Sequence, residues 1–175
     1  MKLKSMIATV ITLVALMGTA LGATFNNPQL GVSVNVPVTL NLVEGDPSRG
    51  TTHAGQAYTQ YIYSGSQPNE DAYIVGVHVY DSLTITDADL DRAINGFAGA
   101  VNGTVSNVTE VNVSGQPAKT AYITLPADKN GRVLRFGYLV SYKGSRLYQF
   151  TFGTYLDTQS DMAEVAEFFR SASIN

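Results

Sequence analysis

Apolar and polar positions alternate with a period of two through GVSVNVPVTLNLV (31–43), GQAYTQYIYS (55–64) and YIVGVHVY (73–80), which predicts three strands. β-Branched and aromatic residues dominate all three, and Pro37 marks an edge position or a bend because its ring removes a backbone donor. The turn-rich GSQPNEDA joins the second and third strands into a hairpin; with Ser64 and Tyr73 closing it, His78 falls opposite Thr59. The period then changes. Leu90, Ala93, Ile94, Phe97, Ala98 and Val101 recur at helical spacing, which predicts a helix opening near Thr86 or Asp87 and closing at Gly103. Four more alternating segments follow, near 105–113, 117–125, 133–142 and 145–154. A last helix over about 159–171 places Met162, Val165, Ala166 and Phe169 on one face.

Strands, a helix, more strands and a second helix, with short hairpin connections inside each β group, define an α+β domain with a mainly antiparallel sheet. Each helix has a single apolar stripe, so each packs flat on the sheet. The aromatic stretch LRFGYLVSYKGSRLYQFTFG (134–153) raises a question of register, because opposed residues in an antiparallel pair share a face. A three-residue loop Tyr142-Lys143-Gly144 would pair Tyr138 with Tyr148 and Phe136 with Phe150, giving one continuous apolar face. On that register the stretch is the wall of a core, and its tyrosine hydroxyls need partners at the rim.

Ahead of the first strand, MKLK supplies two cations and MIATVITLVALMGTALGA an apolar run ending in small residues. That is the pattern of a secretory signal peptide over residues 1–23, cleaved after Gly22 or Ala23, and it predicts a secreted or periplasmic protein without stable membrane insertion after cleavage. Removing 23 of 175 residues leaves 152, enough for one domain over 24–175 with its own core. The chain has no Cys, so disulfides, thiol nucleophiles and Cys-ligated zinc are excluded. Of 11 Lys and Arg, Lys2 and Lys4 lie in the leader, so 9 cations face 14 Asp and Glu and the net charge after cleavage is −5. Nucleic acid is thereby a poor partner, since affinity for it depends on clustered cations.

Candidate chemistry is sparse. The histidines are His53, in the polar segment EGDPSRGTTHAG, and His78, in a strand of the neighbouring hairpin; their separation argues against a shared metal and leaves His78 as a satisfied sheet residue. Asp87, Asp89 and Asp91 resemble the start of a calcium loop, but the Gly such a loop requires is absent and the helical stripe has begun at Leu90, so they read as first-turn acids facing the helix dipole. Neither Gly-x-Ser-x-Gly nor a Gly-rich phosphate loop ending in Gly-Lys-Ser/Thr occurs. Three Asn-x-Ser/Thr triplets, at Asn102, Asn107 and Asn112, matter only in a glycosylating pathway. No catalytic, cofactor-binding or metal-binding residue is thus predicted. The segment from Glu44 to Gly55 is the longest polar stretch between strand signals, and its Asp46, Arg49 and His53 are the candidate binding residues.

LGVSVNVP (30–37), VNVSGQPAKTAYITLP (111–126), RLYQFTFG (146–153) and EFFRSASI (167–174) resemble the PsbP-like superfamily. That group includes an extrinsic photosystem II subunit, a nuclear Ran-binding regulator of similar fold and many small exported bacterial proteins. The resemblance spans nearly all of the chain after the leader. It implies a PsbP-like α/β sandwich and a non-enzymatic exported domain that binds an envelope or extracellular protein or supports assembly at the cell envelope. The other class open to the residues is a small-molecule carrier or an unrecognised hydrolase, with its pocket between the helix layer and the sheet or beneath the 44–55 loop. A sizeable apolar pocket with convergent polar groups favours the second class, a filled core with an exposed patch the first.

Overall fold

The computed structural model describes residues 22–52 and 54–175. Most of the leader-like segment, and His53, lie outside the described residues. The elements in chain order are β1 Ala23–Asn27, β2 Val32–Val36, β3 Val43–Glu44, β4 Ser48–Thr51, β5 Ala57–Ser66, β6 Ala72–Tyr80, α1 Asp87–Ala100, β7 Thr104–Val113, β8 Gln116–Thr124, β9 Leu134–Lys143, β10 Arg146–Tyr155, α2 Met162–Arg170 and β11 Ser173–Ile174. The fold is α+β and mostly antiparallel sheet. The expected first strand, 31–43, ends at Val36 because Pro37 cannot donate to a ladder; its carbonyl instead accepts from the Leu40 N–H in a turn.

The larger sheet runs β3-β5-β6-β10-β9-β8-β7, with β4 also paired to β5, and the smaller runs β1-β2-β11. Since β6 lies beside β10, the chain leaves the sheet through α1 and fills the far half with β7, β8 and β9 before returning. Helix α1 covers one face of that far half. Leu90, Ile94 and Ala98 pack there on Ala121, Ile123, Tyr138 and Val140. The opposite face is closed by α2 and the small sheet, where Val32, Val34, Val165 and Phe168 meet Tyr73, Val75, Tyr148 and Phe150.

The β9–β10 hairpin departs from the expected register. Lys143 pairs with Arg146 across a two-residue turn, and Gly144 has φ +61°. Glycine with positive φ at the first central position is the type II′ arrangement, whose twist matches that of the flanking strands. Tyr138 therefore lies opposite Thr151, Tyr148 opposite Ser141 and Phe150 opposite Leu139. The aromatic residues divide between faces: Phe136, Tyr138 and Tyr142 turn to the α1 side, Tyr148, Phe150 and Phe152 to the α2 side. Both faces of this hairpin are buried, so the apolar pattern places no penalty on the two-residue turn. The Tyr142 hydroxyl, at the rim, donates to the Asp87 carboxylate at 2.9 Å and the buried Tyr148 hydroxyl to the Leu30 carbonyl at 3.1 Å, whereas the buried Tyr138 hydroxyl has no partner among the described residues.

The stripe of α2 is also rotated from the expected one. Val165 and Phe168 are its buried residues, while Met162 is 64% exposed. The helix starts only at Met162, with Asp161 accepting from the Ala163 and Glu164 N–H groups as N-cap, so Met162 lies in the first turn at the edge of the contact.

Candidate functional site

Helix α1 crosses β7, β8 and β9 and leaves the near half of the same face, over β10, β6 and β5, without a helix. A cleft of about 810 Å³ opens there. One wall is the side of α1, at Asp89, Arg92, Ala93, Gly96 and Phe97; the other is Thr51, Thr52, Ala54 and Gln56 at the β4–β5 connection. Tyr58 and Gln60 of β5, His78 and Tyr80 of β6, and Leu147 and Gln149 of β10 form the floor. These six alternate with core residues such as Tyr63, Val75, Val77, Tyr148 and Phe150, which point through the sheet to the α2 side.

Two glycines shape the floor. Gly50 pairs with Tyr58, and a Cβ built on it would lie 2.5 Å from the Tyr58 ring. Its missing side chain lets that ring lie across β4, where it stacks on His78 with centroids 5.0 Å apart and planes 8° from parallel. Gly76 pairs with Gln149, whose Oε1 would be 3.4 Å from a Cβ on Gly76, so the Gln149 amide lies low over the β6 backbone. Gly50→Ala should push the Tyr58 ring off His78. In proton NMR the His78 ring resonances should then lose the upfield shift that a stacked ring imposes; unchanged resonances would show that Gly50 does not hold the stack.

His78 pairs with Gln60, one residue from the expected Thr59, because the hairpin closes at Ser66 and Ala72. It is also not a satisfied sheet residue. Its Nε2 is buried without a partner among the described residues, and burial pushes its pKa down to about 4, so the imidazole is neutral at pH 7. The two oppositely charged residues on the α1 wall neutralise each other. Arg92 donates to Asp89 Oδ1, while Asp89 Oδ2 accepts from the Thr86 N–H at 2.7 Å and the Thr86 hydroxyl at 2.9 Å. Despite a contribution from burial in the other direction, these bonds hold the Asp89 pKa below the ordinary carboxylate value. Burial, with smaller contributions from Tyr58 and Asp89, raises the pKa of Tyr80.

Of the residues singled out in the 44–55 segment, Asp46 and Arg49 lie away from the cleft. β3 and β4 turn much of that segment into short edge strands on β5. Asp46 is exposed between them; Arg49 projects from β4 to a 2.6 Å ion pair with Asp81, both side chains being more than half exposed; His53 is outside the described residues. What the segment does bring to the cleft is Thr51, Thr52 and Ala54. The acids of the DADLD run also have structural partners: Asp87 takes the Tyr142 hydroxyl, Asp89 caps the helix, and Asp91 pairs with Lys119 at 2.7 Å. Among the described residues no cluster of three or more His, Asp or Glu is arranged to hold a metal, and no helix is long and apolar enough to cross a membrane. His78, read from sequence as a satisfied sheet residue, is the one polar side chain in the otherwise apolar AYIVGVHVY strand apart from its tyrosines; Gln60 and Gln149 share their strands with Thr59, Ser64, Thr151 and Thr154, and no sequence signal sets them apart.

Fold and site together define an α+β domain with a half-open cleft on one face of its sheet. No protein-family model matches the chain, and no curated protein matches it. Among solved structures it is similar to one from Bacteroides thetaiotaomicron VPI-5482, with 11% identity and a TM-score of 0.52 over 88% of this chain and 48% of that one. The chain spans about half the length of that protein, and the likeness concerns the fold alone.

Proposed function

We propose that the chain is an exported small-molecule-binding domain of the PsbP-like α/β-sandwich type, with the α1–sheet cleft as its site. The observation that carries this reading is the cleft: about 810 Å³, lined in part by the apolar Leu83, Ile85, Phe97 and Leu147 and the rings of Tyr58 and Tyr80, with the amides of Gln60 and Gln149 and the His78 ring on its floor. That size and composition fit a site for a small organic molecule. It favours the carrier reading over the envelope protein-binding role that the family resemblance implies. Binding rather than turnover is favoured by the state of the titratable groups, since His78 is neutral, the Tyr80 pKa is raised and Asp89 is paired. Export rests on the leader-like residues 1–23. The sandwich assignment rests on the quoted segments and on the layering of one helix on one face of an antiparallel sheet and a helix with a small sheet on the other.

Two substitutions on α1 test the site. A Cβ at either Gly96 or Gly99 meets nothing within 4 Å, yet only Gly96 lines the cleft. Gly96→Leu and Gly99→Leu should each stabilise the helix by up to about 1 kcal/mol, because glycine is a poor helix former. Saturation-transfer NMR with 2-naphthol, 2-naphthoate, 1-naphthylmethylammonium and decanol should then detect binding of at least one compound to the parent and to Gly99→Leu, and its loss in Gly96→Leu. Binding of none, or binding indifferent to Gly96→Leu, rules out the cleft as the site.

A further inference from the structure

We infer that the cleft selects an uncharged planar ring compound carrying hydrogen-bonding groups, such as a phenol or a neutral heterocycle. This rests on the ligand-binding reading above and adds the chemistry of the ligand. Three features of the cleft point the same way.

The first is charge. Among the described residues lining the cleft, Asp89 and Arg92 are the oppositely charged pair, and they are bonded to each other, with the second carboxylate oxygen of Asp89 taken by Thr86. A cationic ligand would have to draw Asp89 away from Arg92 and Thr86, and an anionic one would meet a guanidinium already turned to Asp89 and 69% exposed to water. Neither charge stands as a free, desolvated counter-ion, so an ion gains little there. Among the described lining residues the one imidazole, His78, is neutral and offers an anion no charge.

The second is shape. Rings reach the cleft from three elements: Tyr58 from β5, His78 and Tyr80 from β6, and Phe97 from α1. Tyr58 lies nearly parallel to His78, and Phe97 nearly parallel to Tyr138 with centroids 5.0 Å apart and an 11° tilt. Tyr58, Tyr80 and Phe97 line the cleft with ring surface, against which a flat ring buries more area than a flexible chain and loses less conformational entropy.

The third is hydrogen bonding. The Gln149 amide lies on the floor against Gly76, supplying both a donor and an acceptor without charge, and Gln60 supplies another amide. Neutral amides match hydroxyl, carbonyl or ring-nitrogen groups on an uncharged ligand.

Dissociation constants of the same four probes, measured by NMR titration on the parent protein at pH 7, test the inference. 2-Naphthol should bind about tenfold more tightly than 2-naphthoate or 1-naphthylmethylammonium, whose charges lose hydration without gaining a free counter-ion, and than decanol, whose flexible chain loses more conformational entropy than a ring. Gln149→Leu should remove most of the preference of 2-naphthol over unsubstituted naphthalene while leaving naphthalene binding in place. If either ion binds as tightly as 2-naphthol, the charge argument is wrong; if decanol does, the ring argument is wrong. In both cases loss of binding in Gly96→Leu would still uphold the cleft as the site. If no probe binds, the ligand-binding reading itself falls.

Discussion

Phe168→Ala is expected to lower the unfolding free energy by about 3–5 kcal/mol, the range for truncating a fully buried phenylalanine. Phe168 is fully buried and meets Tyr73 edge-on at 5.2 Å and Phe150 at 6.4 Å, so its removal leaves a void between α2 and the sheet. The void should loosen more than the helix. Glu167 accepts from the Asn35 side-chain amide at 3.0 Å and the Ser171 hydroxyl accepts from the Asn35 N–H at 2.8 Å, so β2 takes its place from the seating of α2. Met162→Ala, on the same helix but exposed, should change stability by less than about 0.5 kcal/mol. Urea denaturation of the two variants distinguishes the seating of α2 described above from the stripe that includes Met162 and Phe169. Equal losses would show that Phe168 does not anchor the layer.

Periodicity located the long elements because each has one strongly patterned face. Helix α1 begins at Asp87 after Thr86, and the long strands fall within about two residues of their expected limits. Faces were harder. The expected β9–β10 register assumed that apolar residues share one side, whereas α2 and the small sheet cover the side opposite α1, so Phe150 and Tyr138 are buried on different faces of one hairpin. Short edge strands were illegible for another reason. β4 reads Ser-Arg-Gly-Thr and β1 Ala-Thr-Phe-Asn-Asn, segments with little strand preference that are held by pairing with β5 and β2. The cleft depends on which strands α1 fails to cover, a property of topology that no local pattern carries. Its polar floor did leave a trace. Gln60, His78 and Leu147 occupy adjacent positions across three paired strands, with Gln149 two residues along, so these polar residues converge once the register is known.

Acidification should unfold the protein earlier than an otherwise matched variant, His78→Phe, and the difference should develop between pH 6.5 and about 4. His78 has an ordinary pKa of 6.5 in the unfolded chain and about 4 in the fold, where burial disfavours the imidazolium and Nε2 has no partner. Above pH 6.5 the imidazole is neutral in both states, and its titration does not change stability. As the pH falls below 6.5 the unfolded chain takes up a proton that the folded chain refuses, so stability declines until about pH 4, where both states are protonated. Integrated over that window, the linkage amounts to about 3 kcal/mol, a large share of a typical total of about 5–15 kcal/mol. Asp89 acts in a lower window: its pKa is below the ordinary 3.8, so its contribution is present above that value and fades on further acidification. Phenylalanine at position 78 keeps a ring against Tyr58 and removes the unpartnered nitrogen, so stability at pH 7 should be nearly unchanged or slightly higher. Chemical denaturation of the pair at pH 7, 5.5 and 4 reads it directly: a gap that widens to about 3 kcal/mol supports a buried neutral His78, and parallel pH profiles would place that imidazole in water rather than beneath the cleft.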